Sequence, residues 1–225
     1  MSGAAACSSR LRLFSSETTV TTWTGIGLSI VCLFAAEAAL AAPQVGPRDA
    51  VESAVARFMT IVQSGHADGD ALPAAQVGEI REIVRQMFDF DEISRQALSK
   101  HWQTLQREEQ VEFVVLFRDL LERAYLTQLA TVGSDKITFL GESIDPGGSA
   151  IVRSKVVPRH GSEIPLNYRL HVRDGSWRIY DVVVKGVSFI ASYRTQFDRV
   201  IRAESYSSLR ERLQKKAAET AHAQR

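Results

Sequence analysis

The chain has 225 residues, of which 45% are hydrophobic and 24% charged, a composition typical of a globular protein and not of a disordered or fibrous one. Its 27 Lys and Arg residues against 26 Asp and Glu residues give a formal net charge of +1, so no net field favours nucleic acid or a charged membrane. Both cysteines, Cys7 and Cys32, lie near the amino terminus, which excludes disulfides, cysteine-ligated zinc and a cysteine nucleophile from the rest of the chain.

The amino-terminal segment has the pattern of a secretory leader. An apolar run at 25–36 follows two arginines and is followed by small residues up to Ala41. This order predicts a signal peptide at 1–41, and a single exported domain at 42–225. An uncleaved membrane anchor is the alternative, but a spanning helix needs about 20 apolar residues, and Glu37 interrupts the run earlier.

The first half of the exported part follows the helical period. Apolar residues recur every three or four positions in four segments, which predicts four helices. The first begins near Pro47, the second follows Pro73, and the third begins at Asp89, which has a capping-box partner in Glu92. The fourth runs from about Arg107 to Ala130, and its apolar arc is wider than a surface helix needs. This helix should face apolar material on more than one side.

After Gly133 the apolar period changes to two, which predicts an antiparallel sheet of four or more strands. The four predicted strands are 137–141, 150–157, 164–173 and 177–185. Asp174-Gly175 between the last two is a strong signal for a two-residue hairpin turn. Helical periodicity then returns from Phe189, and Ser208 marks the cap of a last helix, beyond which the residues after Ala217 should fray. The fold class is therefore α+β.

The hairpin turn also predicts the register of the last two strands. Pairing Arg173 with Ser176 places an apolar set on one face: Ile164, Leu166, Tyr168, Leu170, Val172, Trp177, Ile179 and Val183. Asp181 then falls opposite Tyr168. We weigh two hypotheses for Asp181: a structural carboxylate hydrogen-bonded to Tyr168 or Arg194, or a buried acid or base with a raised pKa.

The direction of the preceding strand depends on the length of the loop at 159–162. An even number of loop residues would turn Arg153 and Lys155 toward the apolar face of the sheet. An odd number, or a β-bulge, would turn Val152 and Val156 toward that face instead. We favour the valines, because a buried unpaired charge costs several kcal/mol. The alternative is that the two cations hold an anionic headgroup at the mouth of a pocket.

Motifs for common catalytic chemistry are missing from the sequence. There is no phosphate-cradling loop and no nucleophile elbow, and the five histidines form no pair at metal-binding spacing. We predict no catalytic residue and no metal ligand. The basic residues near the carboxyl terminus are interleaved with acids at helical spacing, which favours a solvated face over a docking patch.

Several stretches of the sequence resemble the MlaC family, also called toluene-tolerance auxiliary proteins. The matching stretches are Phe88-Asp89-Phe90, Ile93-Ser94, His101-Trp102, Tyr168-Arg169-Leu170, Gly175, Trp177, Ile179-Tyr180-Asp181-Val182, Gly186-Val187-Ser188 and Tyr193-Arg194-x-Gln196-Phe197. Together they cover most of the exported part.

The resemblance implies a periplasmic phospholipid-binding protein of the transport system that maintains outer-membrane lipid asymmetry. It implies a curved antiparallel sheet, with an apolar cavity between sheet and helices that takes the acyl chains. Phospholipid would be cargo, and no cofactor is implied. The implied partners are an inner-membrane ABC transporter with a lipid-binding ring subunit and an outer-membrane lipoprotein complex.

The resemblance also suggests which side chains line the cavity. The expected sheet wall is Leu166, Tyr168, Leu170, Ile179 and Val183. The expected helix wall is Phe113, Phe117, Leu121 and Tyr125, with Trp102 and Phe189 near the rim. Asp181 and Arg194 are expected to form an ion pair that seats the returning helix on the sheet.

Two other functions remain open from the sequence. One is a binding protein for another hydrophobic solute, such as a hopanoid. The other is a small enzyme in which Asp181 and Tyr168 do acid and base work in an apolar pocket.

Overall fold

Within the residues that the structure describes, helices come first and last, and a five-stranded sheet lies between them. A computed structural model describes residues 45–65, 73–130, 136–158 and 161–223. The described elements are α1 (Pro47–Gly65), α2 (Ala74–Met87), α3 (Phe90–Leu98), a 3-10 helix (Ser99–Thr104), α4 (Arg107–Ala130), β1 (Lys136–Ile144), β2 (Ala150–Val157), β3 (Ile164–Arg173), β4 (Ser176–Val184), β5 (Val187–Ser188), α5 (Phe189–Ala203) and α6 (Tyr206–Ala223). The predicted α+β class is confirmed. The expected leader at 1–41 lies outside the described residues.

The predicted wide apolar face of α4 is explained by its neighbours. This helix contacts α2, α3 and α6, and both Phe113 and Phe117 are fully buried. A helix with partners on three sides needs more than the narrow apolar stripe of a surface helix. None of the helices in the described part of the chain is long and apolar enough to cross a membrane.

The sheet is an antiparallel meander in the order β1-β2-β3-β4-β5. Asp174 and Gly175 both have positive φ, 52° and 71°, which is the geometry that a two-residue hairpin turn requires. The short strand β5, which pairs Val187 with Val184 and Ser188 with Val183, was not predicted. Two residues are too few to produce a period-two pattern.

The predicted register between β3 and β4 is right near the turn and wrong beyond it. Leu170 pairs with Ile179 as expected, but Arg169 pairs with Asp181, so that Tyr180 is an extra, bulged residue. Asp181 is therefore not opposite Tyr168. The bulge turns both Asp181 and Val183 to the opposite face of the sheet, where Asp181 finds hydrogen-bond donors that the apolar face does not offer.

The side chains of β2 face the way that we favoured. Val152 is fully buried and pairs with Tyr168 on the apolar face. Arg153 is exposed on the other face, and Lys155 on that face pairs with Glu163 at 2.8 Å. The apolar face thus avoids two buried cations.

Two apolar clusters hold most of the buried hydrophobic residues of the described part, and Val62, Ile80, Ile83 and Val183 are buried outside both. The sheet core consists of Val51, Ala150, Val152, Tyr168, Leu170, Trp177 and Ile179. The helix core consists of Ile93, Ala97, Leu98, Phe113, Phe117, Leu121, Ile190, Phe197, Leu209 and Leu213. Phe88, at the end of α2, packs against both cores.

The last helix begins earlier than predicted, and the fraying expected after Ala217 stays a prediction. Ser205 and not Ser208 caps it, since the Ser205 Oγ accepts a hydrogen bond from the Ser208 N–H at 3.1 Å. At the other end the helix continues beyond Ala217 to Ala223. Leu209 and Leu213 bury the first half of α6 in the helix core, against α4 and α5.

Candidate functional site

The candidate site is the seam where the sheet core meets the helix core. Phe88 contacts both cores, and it forms an isolated parallel bridge with Ile179 of β4. The Asp89 N–H donates to the Ile179 carbonyl at 2.9 Å. The junction between α2 and α3 therefore runs alongside the middle of β4, at Ile179.

Asp89 fixes this junction through its carboxylate, which is buried although it is charged. It accepts hydrogen bonds from the Glu92 N–H at 3.0 Å, from His171 Nε2 at 2.8 Å and from Arg173 Nη1 at 2.5 Å. Burial raises the pKa of Asp89, but the hydrogen bonds from Arg173, Glu92 and His171 outweigh it, so its pKa lies below the ordinary value. One side chain thus caps α3 and joins it to β3.

The predicted capping box at Asp89 is only half formed. The Glu92 side chain bonds Arg95 and Gln96 instead of the Asp89 N–H. The Asp89 N–H already donates a hydrogen bond to the Ile179 carbonyl. The sequence pattern therefore located the helix start correctly, but a tertiary contact replaced the second hydrogen bond of the box.

The expected ion pair between Asp181 and Arg194 is wrong. The buried Asp181 carboxylate accepts from the Ser188 Oγ at 2.7 Å and from the Ile190 N–H at 3.1 Å, with Arg169 at 3.5 Å. Arg194 instead donates to the Gln96 carbonyl at 2.9 Å. Asp181 thus holds the amino-terminal end of α5 directly, where a negative charge is favoured by the exposed N–H groups.

The residues expected on the sheet wall divide between the two faces. Leu166, Tyr168, Leu170 and Ile179 belong to or pack against the sheet core, whereas Val183 is buried on the face of Asp181. Burial raises the pKa of Tyr168 to about 12, so its hydroxyl keeps its proton. Tyr168 and Asp181 point to opposite faces and do not form the acid and base pair that we considered.

The residues expected on the helix wall all lie in or against the helix core. Phe113, Phe117 and Leu121 are buried members, and Trp102, Tyr125 and Phe189 pack against them. Ring contacts continue along this wall, with centroid distances of 4.8 Å between Tyr125 and Phe189 and 5.1 Å between Phe117 and Phe197. The two expected walls are therefore two separate clusters, and a cavity between them stays a prediction.

Among the described residues, no group of three or more His, Cys, Asp or Glu side chains could hold a metal ion. The two buried carboxylates at this junction, Asp89 and Asp181, are each engaged by hydrogen-bond donors on the sheet or on helix ends. They hold elements together and offer no free oxygen pair.

Comparison with known proteins gives concordant matches. The family model described as MlaC protein matches residues 52–215. The toluene tolerance protein Ttg2D of Pseudomonas putida is 24% identical over 169 residues, which cover 75% of this chain and 79% of that protein. The structure of a phospholipid-binding protein from Ralstonia solanacearum, in complex with a phospholipid, has a TM-score of 0.67 at 22% identity and covers 79% of this chain and 99% of that one.

Proposed function

Because the chain belongs to the MlaC family, we propose that it is a periplasmic carrier that binds one phospholipid at a time and moves it between membranes. The observation that supports this most is the fold shared with the Ralstonia solanacearum protein, which was solved with a phospholipid bound. The partners would be an inner-membrane ABC transporter with a lipid-binding ring subunit and an outer-membrane lipoprotein complex. The segment 1–41 would direct export and be removed.

The physical need for such a carrier follows from the hydrophobic effect. Burial of one methylene contributes about 0.8 kcal/mol, so two acyl chains with about 30 methylenes cost on the order of 24 kcal/mol to expose to water. A protein that carries a lipid through an aqueous compartment must therefore surround the chains with apolar side chains. The contacts are non-directional, which allows release when a membrane complex favours the empty state.

We place the acyl chains in the seam between the sheet core and the helix core. Two apolar surfaces that meet at few side chains can separate without breaking a hydrogen-bonded element. Phe88 is the described side chain that packs against both. The lining would then combine the sheet residues Leu166, Tyr168, Leu170 and Ile179 with the helix residues Trp102, Phe113, Phe117, Leu121, Tyr125 and Phe189.

Native mass spectrometry of the exported protein tests the cargo. Purification without detergent should yield a mass excess equal to one phospholipid, together with a chain that begins at Ala42. A protein that purifies without phospholipid contradicts the proposal. A mass excess that matches a hopanoid or another hydrophobic solute would change the identity of the proposed cargo but would still support a carrier function.

A substitution at the seam tests where the lipid lies. Phe88→Gln should lower the fraction of lipid-loaded protein at least threefold, because an amide at the meeting point of the two cores disfavours acyl chains. Leu140→Gln is the matched control, since Leu140 is 60% exposed at the bulge of β1. Equal lipid content in the two variants, both folded by circular dichroism, would exclude the seam as the binding site.

A further inference from the structure

A pocket of about 370 Å³ opens where the end of α2, the start of α3, α4 and the β3-β4 hairpin meet. Its lining contains four arginines, Arg85, Arg118, Arg173 and Arg178, and three aspartates, Asp89, Asp91 and Asp174. The sequence does not indicate this group, because its members come from distant segments and from different elements. The question is which of these charges are already neutralised by their neighbours.

The three aspartates of the pocket gather around one arginine. Arg173 donates to Asp89 at 2.5 Å and to Asp91 at 2.9 Å, and its Nε lies 3.9 Å from Asp174. Arg173 therefore contacts all three aspartates, and Asp89 also accepts from His171 Nε2 at 2.8 Å. The other three arginines must find their counter-charges elsewhere.

Glu122 supplies those counter-charges only in part. This buried carboxylate lies within 4 Å of three guanidinium groups, at 2.8 Å from Arg81, 2.9 Å from Arg85 and 3.8 Å from Arg118. With Asp119, which lies 3.5 Å from Arg118, two carboxylates face these three cations. Arg85 takes the bidentate contact, with hydrogen bonds of 2.9 and 3.3 Å, and Arg118 is left at the longest distance.

Arg118 and Arg178 therefore keep unused donors. The Arg118 Nε is buried and has no hydrogen-bond acceptor, although Asp119 lies 3.5 Å from its Nη2. Arg178 is half-buried, and neither a hydrogen bond nor an ion pair engages it within the described part of the chain. A buried N–H without an acceptor is unfavourable unless a ligand supplies one.

We propose that this pocket binds a phosphate group through Arg118 and Arg178. The planar guanidinium fork of Arg178 matches two phosphate oxygens, and Arg118 adds a second positive charge to the same lining. Partial burial strengthens the contacts compared with an exposed pair. The phosphate can belong to a lipid headgroup or to a soluble phosphate compound.

The assignment of the phosphate to a lipid headgroup rests on the proposed function. One residue links the phosphate pocket to the seam between the two cores. Phe88 lines the pocket and packs against both apolar cores. A phospholipid with its chains in the seam would thus have its phosphate at the pocket. The carrier would then recognise phospholipids by their phosphate and not only by their chains.

Calorimetric titration of the full exported protein, stripped of bound lipid, tests this site. The probes are dihexanoyl phosphatidylglycerol, dihexanoylglycerol, which has the same chains without phosphate, and inorganic phosphate. We expect phosphatidylglycerol to bind at least tenfold more tightly than the diacylglycerol. Arg178→Gln and Arg118→Gln should each remove most of that difference, whereas Arg199→Gln, an exposed arginine of α5, should not.

The possible outcomes distinguish a lipid headgroup from a soluble phosphate compound. They also distinguish the phosphate site from the proposed carrier function. Binding of inorganic phosphate that Arg178→Gln weakens assigns the site to soluble phosphate compounds, and binding of the phospholipid alone assigns it to headgroups. The site is refuted if neither probe shows phosphate-dependent binding, or if folded Arg178→Gln binds like the unsubstituted protein. Phospholipid found by native mass spectrometry would in that case still support the carrier.

Discussion

At the scale of single residues, two buried carboxylates connect the helices to the sheet. Asp89 joins α3 to β3, and Asp181 joins α5 to β4. A buried charge is costly unless it is hydrogen-bonded, and each of these has three donors within 3.5 Å. Their role is therefore structural, and the register of the sheet depends on where they can be satisfied.

Asp89→Asn should lower the free energy of unfolding by about 2 kcal/mol at pH 7, since hydrogen bonds to charged groups contribute about 1.5–3 kcal/mol. The amide still caps α3 but no longer balances Arg173. Urea unfolding measures the difference. Asp91→Asn is the matched control, because its exposed side chain contacts the same arginine, and it should change stability by less than about 1 kcal/mol.

The stabilisation from Asp89 should also depend on pH. Its pKa is lower in the folded protein than its ordinary value of 3.8, so the folded state binds fewer protons than the unfolded state near that pH. The contribution is complete above the ordinary value and is lost as the pH falls through the folded value. The gap between the unsubstituted protein and Asp89→Asn should narrow on acidification below pH 4, and a constant gap would contradict this account.

At the scale of elements, the bulge at Tyr180 decides how β4 meets α5. It places Asp181 beside Ser188 and the first turn of the helix. Ser188 has two functions there, since its Oγ accepts from the Ala191 N–H at 3.1 Å and donates to Asp181 at 2.7 Å. Cap and carboxylate therefore act as one unit that fixes the start of α5.

Ser188→Ala should destabilise the protein by about 0.5–2 kcal/mol, the usual range for a lost serine cap. Ser192→Ala is the matched control, because its hydroxyl bonds only the backbone carbonyl of Ser188 at 3.0 Å, which the substitution leaves in place, and it should have little effect. Chemical unfolding gives both values. If the two variants lose the same stability, the cap at Ser188 is not what anchors α5.

At the scale of the whole molecule, most of the described interior forms two cores that meet at Phe88. Each core closes around its own set of elements. The polar contacts of Asp89 with β3 and of Asp181 with the start of α5 connect the sheet to the helices. Such an arrangement can admit a ligand between the cores while each core keeps its packing, which is the property that the proposed carrier needs.

Removal of bound phospholipid should lower the melting temperature of the protein. A ligand at 1,000 times its Kd stabilises the folded state by about 4.1 kcal/mol, and about 1 kcal/mol corresponds to about 2–4 °C for a domain of this size. The expected decrease is therefore about 10 °C, read by differential scanning calorimetry before and after delipidation. Phe88→Gln should show a smaller decrease, and an unchanged melting temperature in the unsubstituted protein would argue against a lipid in the interior.

The amino-acid sequence by itself determined the order of the helices and of the four long strands, the α+β class and the hairpin at Asp174-Gly175. These features depend on hydrophobic period, caps and turn residues, which are properties of neighbouring positions. Family membership likewise followed from short segments. Only the tertiary structure decided the bulge at Tyr180, the partners of Asp181 and Arg194, the separation of the two cores and the grouping of Arg118 with Arg178. Each of these depends on which distant donors and apolar surfaces meet, because a buried charge or a register shift is stabilised by contacts that no local pattern contains.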